Sequence, residues 1–122
     1  MNLHQTIRRI LKEETEKPKI LKIPSMEFFN KDWFLLQKFL EKKGNPPYSI
    51  GGDLDLRKTP IESLGNLQSV GGCLDLRRTP IESLGNLKFV GGYLDLQGTP
   101  LFKKYTEKQI REIVNVGGDI YL

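Results

Sequence analysis

Three aspartates and two arginines recur at a fixed spacing of 20 residues. Asp55, Asp75 and Asp95 occupy one position of a repeating segment, and Arg57 and Arg77 follow the first two of them by two residues. If each aspartate lies in a strand and the strands stack in register, the carboxylates are neighbours about 4.8 Å apart and repel one another. Paired arginines or a hard cation such as calcium can offset this repulsion. We favour the arginines, because no oxygen-rich loop follows to complete a calcium coordination shell.

Residues that could carry catalysis are scarce. His4 is the only histidine, so a catalytic triad or a histidine-rich metal site would depend on that one side chain. Cys73 is the only cysteine, which permits no intramolecular disulfide and leaves a thiol without an identified activating group. The Gly-Gly pairs never continue into the pattern of a phosphate-binding loop. The sequence therefore predicts a nonenzymatic protein with no cofactor and no metal.

Tyrosines and charged residues share the strand positions that should face solvent. Alternate side chains of a strand point to opposite faces, so the residues between the repeated leucines form one outward surface, which we call the open face. Tyrosine and arginine are enriched where the binding energy of protein interfaces concentrates. We expect this surface to bind a protein through Asp55, Arg57, Asp75, Arg77, Tyr93, Asp95 and Tyr121.

The elements that carry these residues are internal repeats. Residues 51–70 (GGDLDLRKTPIESLGNLQSV) recur as residues 71–90 (GGCLDLRRTPIESLGNLKFV) with sixteen of twenty positions identical, and a third copy begins at Gly91. A fixed period of this length predicts an α/β repeat solenoid in which each unit packs on its neighbours. Six apolar positions per unit should point inward, namely Leu54, Leu56, Ile61, Leu64, Leu67 and Val70 and their copies in the second unit.

Within one unit, only the segment Leu-Asp-Leu has the alternation of a half-buried strand. The Gly-Gly pair before it is expected to supply a tight corner with positive φ, and Thr-Pro after it turns the chain away. The stretch IESLGNL should return as turns. We therefore expect one parallel strand per coil. A parallel β-helix is the rival fold, but it would need strands on more than one face of each coil.

The repeats resemble leucine-rich repeats of a short, 20-residue kind. The segments LDLRKTPIESLGNL and LDLRRTPIESLGNL match a pattern in which a polar residue, usually asparagine, stands three positions after L-x-L. Thr59, Thr79 and Thr99 occupy that position here. The threonines imply a weaker inner ladder, since a hydroxyl has only one donor. The wording Val-Gly-Gly-x-Leu-Asp-Leu is similar to repeats in hypothetical proteins of bacteria and their phages. The resemblance covers about residues 50–122 and implies a short leucine-rich-repeat array without implying one activity.

The array should carry a helical cap at its N-terminal side. Residues 17–48 are expected to form a linker and this cap. Its helix should begin after Asn30 as N-cap, with Phe29 and Phe34 as a hydrophobic staple, and should end before Gly44.

The array itself should span residues 49–122, with a helix inserted before the last strand. Thr106 and Gln109 have the spacing of a capping box for that helix. The last strand leaves one side of the final coil with unpaired backbone groups, which can pair with another chain. A homodimer through the terminal strand or through the N-terminal helix is therefore a further hypothesis.

Residues 1–16 have the pattern of an amphipathic helix that is too short to be stable alone. It needs a docking surface on its own chain, on a second copy or on a partner. Residues 1–50 contain ten Lys and Arg against six Asp and Glu, and residues 51–122 contain nine of each, so the net charge of +4 comes from the N-terminal part. Arg8, Arg9 and Lys12 support an alternative function, nucleic-acid binding that weakens steeply with salt.

The sequence has no apolar run long enough to span a membrane and no pattern of a secretion signal. With a single cysteine, this favours a reducing cytoplasm. The favoured interpretation is a nonenzymatic protein-binding module that acts on a host or defence protein. The resemblance implies that it is a phage accessory protein in the host cytoplasm. A virion or assembly subunit is the remaining alternative.

Overall fold

Short strands and helices alternate along the part of the chain that the computed structural model describes, residues 20–122. The predicted helix of residues 1–16, with Arg8, Arg9 and Lys12, lies outside the described residues. The elements in chain order are β1 (Leu21–Ile23), a 3-10 helix (Met26–Phe29), α1 (Trp33–Lys42), β2 (Tyr48–Ile50), β3 (Leu54–Asp55), β4 (Leu67–Val70), β5 (Leu74–Asp75), β6 (Phe89–Val90), β7 (Leu94–Asp95), α2 (Leu101–Lys104), α3 (Glu107–Ile113), β8 (Asn115–Val116) and β9 (Ile120–Tyr121). Within this range no helix is both long and apolar enough to cross a membrane.

The strands form two parallel sheets, with the order β1-β2-β4-β6-β8 in one and β3-β5-β7-β9 in the other. The expectation of one strand per coil is therefore wrong, because each repeat contributes a strand to both sheets. The missed strand β4 contains two half-buried polar residues between Leu67 and Val70, and this pattern hides the alternation of a strand. Stacking on the neighbouring repeats supplies its hydrogen bonds whatever its local preference. Strands on more than one face, the feature that we required of a β-helix, are thus present.

The repeats stack with a register of one period. Leu54 pairs with Leu74 and Leu74 with Leu94, and the last rung joins Leu94 to Ile120 across the longer insertion. All six inward positions are confirmed in both complete repeats, since every one of these side chains is less than 9 % exposed. They form one continuous core with residues of the N-terminal cap and of α3.

The Gly-Gly pairs are needed for close stacking and not for positive φ, which corrects the expectation from the sequence. Their φ angles lie outside the left-handed region, which Gly65, Gly85 and Gly98 occupy instead. A Cβ on Gly71 would come within 3.0 Å of the carbonyl oxygen of Gly51 in the preceding repeat, and the later pairs meet the same obstacle. Only glycine lets the backbones approach so closely.

The helix of the N-terminal cap begins two residues later than expected. Asn30 adopts a left-handed conformation (φ 52°) that ends the 3-10 helix, so its assignment as N-cap is wrong. Asp32 caps α1 instead, and its carboxylate accepts the backbone N–H groups of Phe34 and Leu35 at 2.9 and 3.2 Å. The predicted Phe29–Phe34 staple is also wrong, because Phe34 is 52 % exposed. The ring of Phe29 packs on Phe39, with 5.3 Å between the centroids.

The other end of α1 agrees with the sequence. Gly44 has a φ of 81° and donates its N–H to the carbonyl of Glu41 at 3.1 Å, while Asn45 donates to Leu40 at 2.8 Å. These two bonds form a Schellman motif, which confirms Gly44 as the C′ residue.

The insertion before the last strand contains two short helices, α2 and α3, separated by the extended residue Tyr105. The capping box of Thr106 and Gln109 is confirmed at the start of α3. Ile110 is buried on the core, whereas Ile113 is 45 % exposed.

Two kinds of polar side chain hold the turns of the repeats. Thr79 is buried and donates its hydroxyl to the carbonyl of Leu76 at 2.9 Å, and Thr99 makes the equivalent bond at 2.7 Å. These bonds stay within one repeat. In the return segment a side-chain bond joins two repeats, since the Nδ2 of Asn86 donates to the Oδ1 of Asn66 at 3.2 Å.

Candidate functional site

The open face is the outward side of the sheet formed by β3, β5, β7 and β9. The register places Asp55, Asp75, Asp95 and Tyr121 in one column across the four strands. A second column lies two residues earlier along each strand and consists of Asp53, Cys73, Tyr93 and Asp119. Backbone bonds such as Leu74 N–H to the carbonyl of Tyr93, 3.0 Å, fix the spacing between rungs. The structure places the aspartates and tyrosines predicted for this face along these strands, and Arg57 and Arg77 in the turns that follow β3 and β5. Asp75 and Asp95 are only 5 % and 7 % exposed, so the expectation that they face solvent is wrong, because Arg77 lies 2.7 and 3.3 Å from their carboxylates.

An ion-pair ladder runs along the first column. Arg57 donates from Nη2 to the Oδ2 of Asp55 at 2.8 Å, and Arg77 makes the same contact with Asp75 at 2.7 Å. Each arginine also reaches the aspartate of the next repeat, since the Nε of Arg57 lies 3.6 Å from Asp75 and the Nε of Arg77 lies 3.3 Å from Asp95. The predicted offset of the stacked carboxylates by arginine is therefore confirmed.

The first carboxylate of the ladder is exposed and the next two are nearly buried. The side chain of Asp55 is 53 % exposed, whereas those of Asp75 and Asp95 are 7 % and 10 % exposed. Asp75 lies between two arginines. Asp95 has Arg77 as its ion-pair partner within residues 20–122, because Gln97 stands where the earlier repeats have arginine. Each buried carboxylate also accepts the backbone N–H two residues on, at 3.1 Å.

The ion pairs shift the pKa values of Asp55 and Arg77. The hydrogen bond from Arg57 holds the pKa of Asp55 below its ordinary value. The hydrogen bond that Arg77 donates to Asp75 raises the pKa of Arg77 above the ordinary arginine value. Both shifts favour the charged forms of Asp55 and Arg77. Within the described part of the chain, no group of three or more His, Cys, Asp or Glu side chains has an arrangement that could hold a metal ion.

These contacts give Arg77 a structural role that the sequence did not reveal. Its guanidinium is the charge partner of two nearly buried carboxylates, and removing it would leave Asp95 without an ion pair among residues 20–122. An unpaired buried charge is costly. A substitution at Arg77 therefore disturbs the fold as well as any binding function, and it cannot serve as a clean test of recognition.

An exposed pair of tyrosines ends the open face. The rings of Tyr93 and Tyr121 meet edge to face, with 5.9 Å between centroids and 70° between planes. The two residues are 36 % and 42 % exposed. Burial raises the pKa of the Tyr93 phenol, and the nearby carboxylate of Asp119 raises that of Tyr121. Both phenols are therefore neutral hydrogen-bond donors at physiological pH.

A shallow groove of about 190 Å³ continues from the tyrosine pair along the ladder. Asp53, Cys73, Asp75, Arg77 and Tyr93 are among the residues that line it. The Oδ1 of Asp53 accepts a hydrogen bond from the backbone N–H of Cys73 at 2.8 Å. Asp53 therefore links its own repeat to the backbone of the next one. The surface combines an aromatic contact area with paired charges, and it holds no arrangement of nucleophile, base and orienting group.

A second, more basic groove lies beside the ladder and was missed from the sequence. Its lining comes from the turn that follows each open-face strand and consists of five long polar side chains and one glycine, namely Arg57, Lys58, Arg77, Arg78, Gln97 and Gly98. The repeated motif R-[KR]-T-P indicates a cluster of cations at this turn. Exposed cations are also common in turns, so the motif alone does not distinguish a binding groove from a solvated turn. The groove encloses about 490 Å³.

Comparison with protein-family models, curated proteins and solved structures finds no match to this chain. Its family is therefore not assigned by similarity. The open face, the tyrosine pair and the basic groove are the features from which a function has to be argued.

Proposed function

We propose that this chain is a nonenzymatic leucine-rich-repeat module that binds a protein partner through its open face. The observation that carries the proposal is the exposed, edge-to-face pair of Tyr93 and Tyr121. Tyrosines supply large contact area with two side-chain torsions to immobilise, and they are enriched among residues that dominate interface energy.

Backbone hydrogen bonds fix the strands that carry the tyrosine pair, so a partner can bind without a large rearrangement of this surface. Tyr93 and Tyr121 lie on adjacent rungs whose backbones are joined by the bonds from Leu94 to Asp119, 2.9 Å, and from Leu96 to Tyr121, 2.7 Å. The ion-pair ladder fixes the neighbouring side chains in the same way. A partner would therefore meet a preorganised surface, which reduces the entropy lost on binding.

The leucine-rich-repeat assignment rests on the 20-residue register and the buried Leu-x-Leu strands. The second sheet and the close-packed glycine pairs resemble a β-helix cross-section and make that fold the alternative. In either fold the same side chains project from the open face. The phage origin, the host cytoplasm and a host or defence protein as partner are proposals from the resemblance of the repeat wording.

The test is partner capture by the full chain and by a double variant, Tyr93→Ser/Tyr121→Ser. A matched control, Phe89→Ser/Phe102→Ser, removes two aromatic residues that are 41 % and 51 % exposed and lie outside the open face. We expect the wild type and the control to recover the same protein from host-cell extract, and the tyrosine variant to lose at least about 90 % of it. Equal recovery by the tyrosine variant, with a thermal midpoint like that of the wild type, would contradict the proposal.

A further inference from the structure

The basic groove contains two cations that the ion-pair ladder does not neutralise. Arg57 and Arg77 are engaged by Asp55 and Asp75 at 2.8 and 2.7 Å. Lys58 and Arg78, the next residues along the chain, form no ion pair with any carboxylate of residues 20–122. Both are exposed. They lie on neighbouring rungs, about 4.8 Å apart at the backbone, and their charges add at the mouth of the groove.

The backbone conformation at these two positions disfavours the residues that occupy them. Lys58 and Arg78 have φ values of 57° and 58°, in the left-handed region that glycine adopts without steric conflict. The third repeat has glycine at the same position, Gly98, with a φ of 74°. The turn therefore accepts glycine, and yet two of the three repeats have a long cation there. A residue that is locally unfavourable and chemically similar in both copies points to a role outside the fold.

We propose that the basic groove binds an acidic segment of a protein, with Lys58 and Arg78 as the residues that contact its carboxylates. Lys58 and Arg78, which are unpaired within residues 20–122, can each pair with one of two carboxylates on alternate residues of an extended peptide, because such residues project from one side of the chain. Gln97 adds an amide that can donate to a peptide carbonyl. The groove volume of about 490 Å³ suits a few side chains.

The charges around the groove favour an acidic peptide over a nucleic acid. The adjacent ladder has three carboxylates, Asp55, Asp75 and Asp95, against two arginines, so its own charge is negative. A nucleic acid long enough to follow the groove brings further phosphates towards these aspartates, which repel them. A short acidic segment places its charge beside Lys58 and Arg78, which form no ion pair within residues 20–122. This inference goes beyond the proposed function, because the groove binds such a segment whether or not the tyrosine pair contacts the partner.

The experiment measures binding of a fluorescent hexaglutamate peptide to the full chain by anisotropy at low ionic strength. The variant Lys58→Gly/Arg78→Gly removes both cations and keeps a residue that the turn accepts. A control with the same loss of charge, Lys38→Gln/Lys108→Gln, alters two exposed lysines that do not line the groove. We expect the Kd of the peptide to rise at least about tenfold in the groove variant and less than about twofold in the control.

Further arms separate the alternatives. Tyr93→Ser/Tyr121→Ser should keep hexaglutamate binding, so a failure of the groove and a failure of the tyrosine surface are distinguishable. If the glycine variant does not fold, Lys58→Gln/Arg78→Gln tests the same charges with side chains retained. Unchanged peptide binding in the folded groove variant would overturn the proposal. So would a single-stranded oligonucleotide with the same number of charges that binds the groove more tightly than hexaglutamate, as judged by the same two variants.

Discussion

The first two repeats and the third share one scaffold but have different surfaces. In all three, the leucines of the open-face strands are buried, and the register continues without a shift. The outer positions differ, because the first two repeats carry Arg57 and Arg77 followed by a cation, whereas the third has Gln97 and Gly98 and presents Tyr93. The difference shows that the core positions are set by stacking, while the outer positions vary with what each rung must contact.

The largest effect should come from the shared scaffold. Leu76 is completely buried in the middle repeat, so Leu76→Ala leaves a cavity and should lower the free energy of unfolding by about 2 to 5 kcal/mol. Glu62→Ala, at an exposed position of the first repeat, is the control. Equal stability of the two variants in chemical denaturation would mean that the assignment of inward positions is wrong.

A smaller loss should distinguish two arginines that occupy equivalent positions. Arg77→Ala leaves the nearly buried Asp95 without an ion-pair partner among residues 20–122 and removes the shorter of the two ion pairs of Asp75, which keeps Arg57 at 3.6 Å. Arg57→Ala removes the partner of the exposed Asp55 and only the longer contact of Asp75. We expect the destabilisation by Arg77→Ala to be at least about twice that by Arg57→Ala, because exposed ion pairs contribute little. Thermal unfolding of both variants measures the ratio of the two losses in stability. A larger loss for Arg57→Ala would contradict the claim that the buried carboxylates depend most on their arginine partner.

The turn that follows the strand should respond in the opposite direction. Replacing Arg78 by glycine relieves the left-handed backbone, as Gly98 does in the third repeat, and should raise the free energy of unfolding by about 1 kcal/mol. The Cγ of Arg78 would lie 3.2 Å from a Cβ built on Gly98, so the converse variant Gly98→Ala is expected to be destabilising. A marked loss of stability in Arg78→Gly would show that this side chain has a structural role.

The smallest effect concerns pH at the exposed end of the ladder. Because the folded-state pKa of Asp55 is lowered by Arg57, the ionised carboxylate stabilises the folded chain at pH values above the unfolded pKa. This contribution is lost as the pH falls below about 4 and through the folded pKa. We therefore expect the stability difference between wild type and Asp55→Asn to be present at neutral pH and to shrink in acid. A difference that grows in acid would have the wrong sign for this pair.

The sequence predicted features that depend on a few neighbouring residues and missed features that depend on contacts between repeats. The inward leucines, the Gly44 C′ residue and the Thr106–Gln109 box follow from spacing, and the structure confirms them. The β4 strand and the close approach at Gly71 arise only when one repeat lies on another. A single-repeat pattern does not contain that information.

The cap illustrates competition between two local signals. Asn30 and Asp32 are both good N-cap residues, and the left-handed turn through Asn30 and Lys31 leaves Asp32 at the start of α1. For the candidate site, the sequence identified the columns of the open face but did not predict that Asp75 and Asp95 would be buried. The diagonal contact from Arg77 to Asp95, at 3.3 Å, depends on the stacking of two repeats and distinguishes the ladder from the tyrosine pair.

The central claim is that the tyrosine pair contacts the partner. Fluorine NMR of the full chain labelled with 3-fluorotyrosine tests it directly, because the chain has four tyrosines. Tyr48 is buried and Tyr105 lies on the insertion, so both serve as internal references. We predict that the captured partner, added to saturation, shifts or broadens the signals of Tyr93 and Tyr121 and leaves that of Tyr48 unchanged. Unaltered signals from Tyr93 and Tyr121 in the saturated complex would contradict the account.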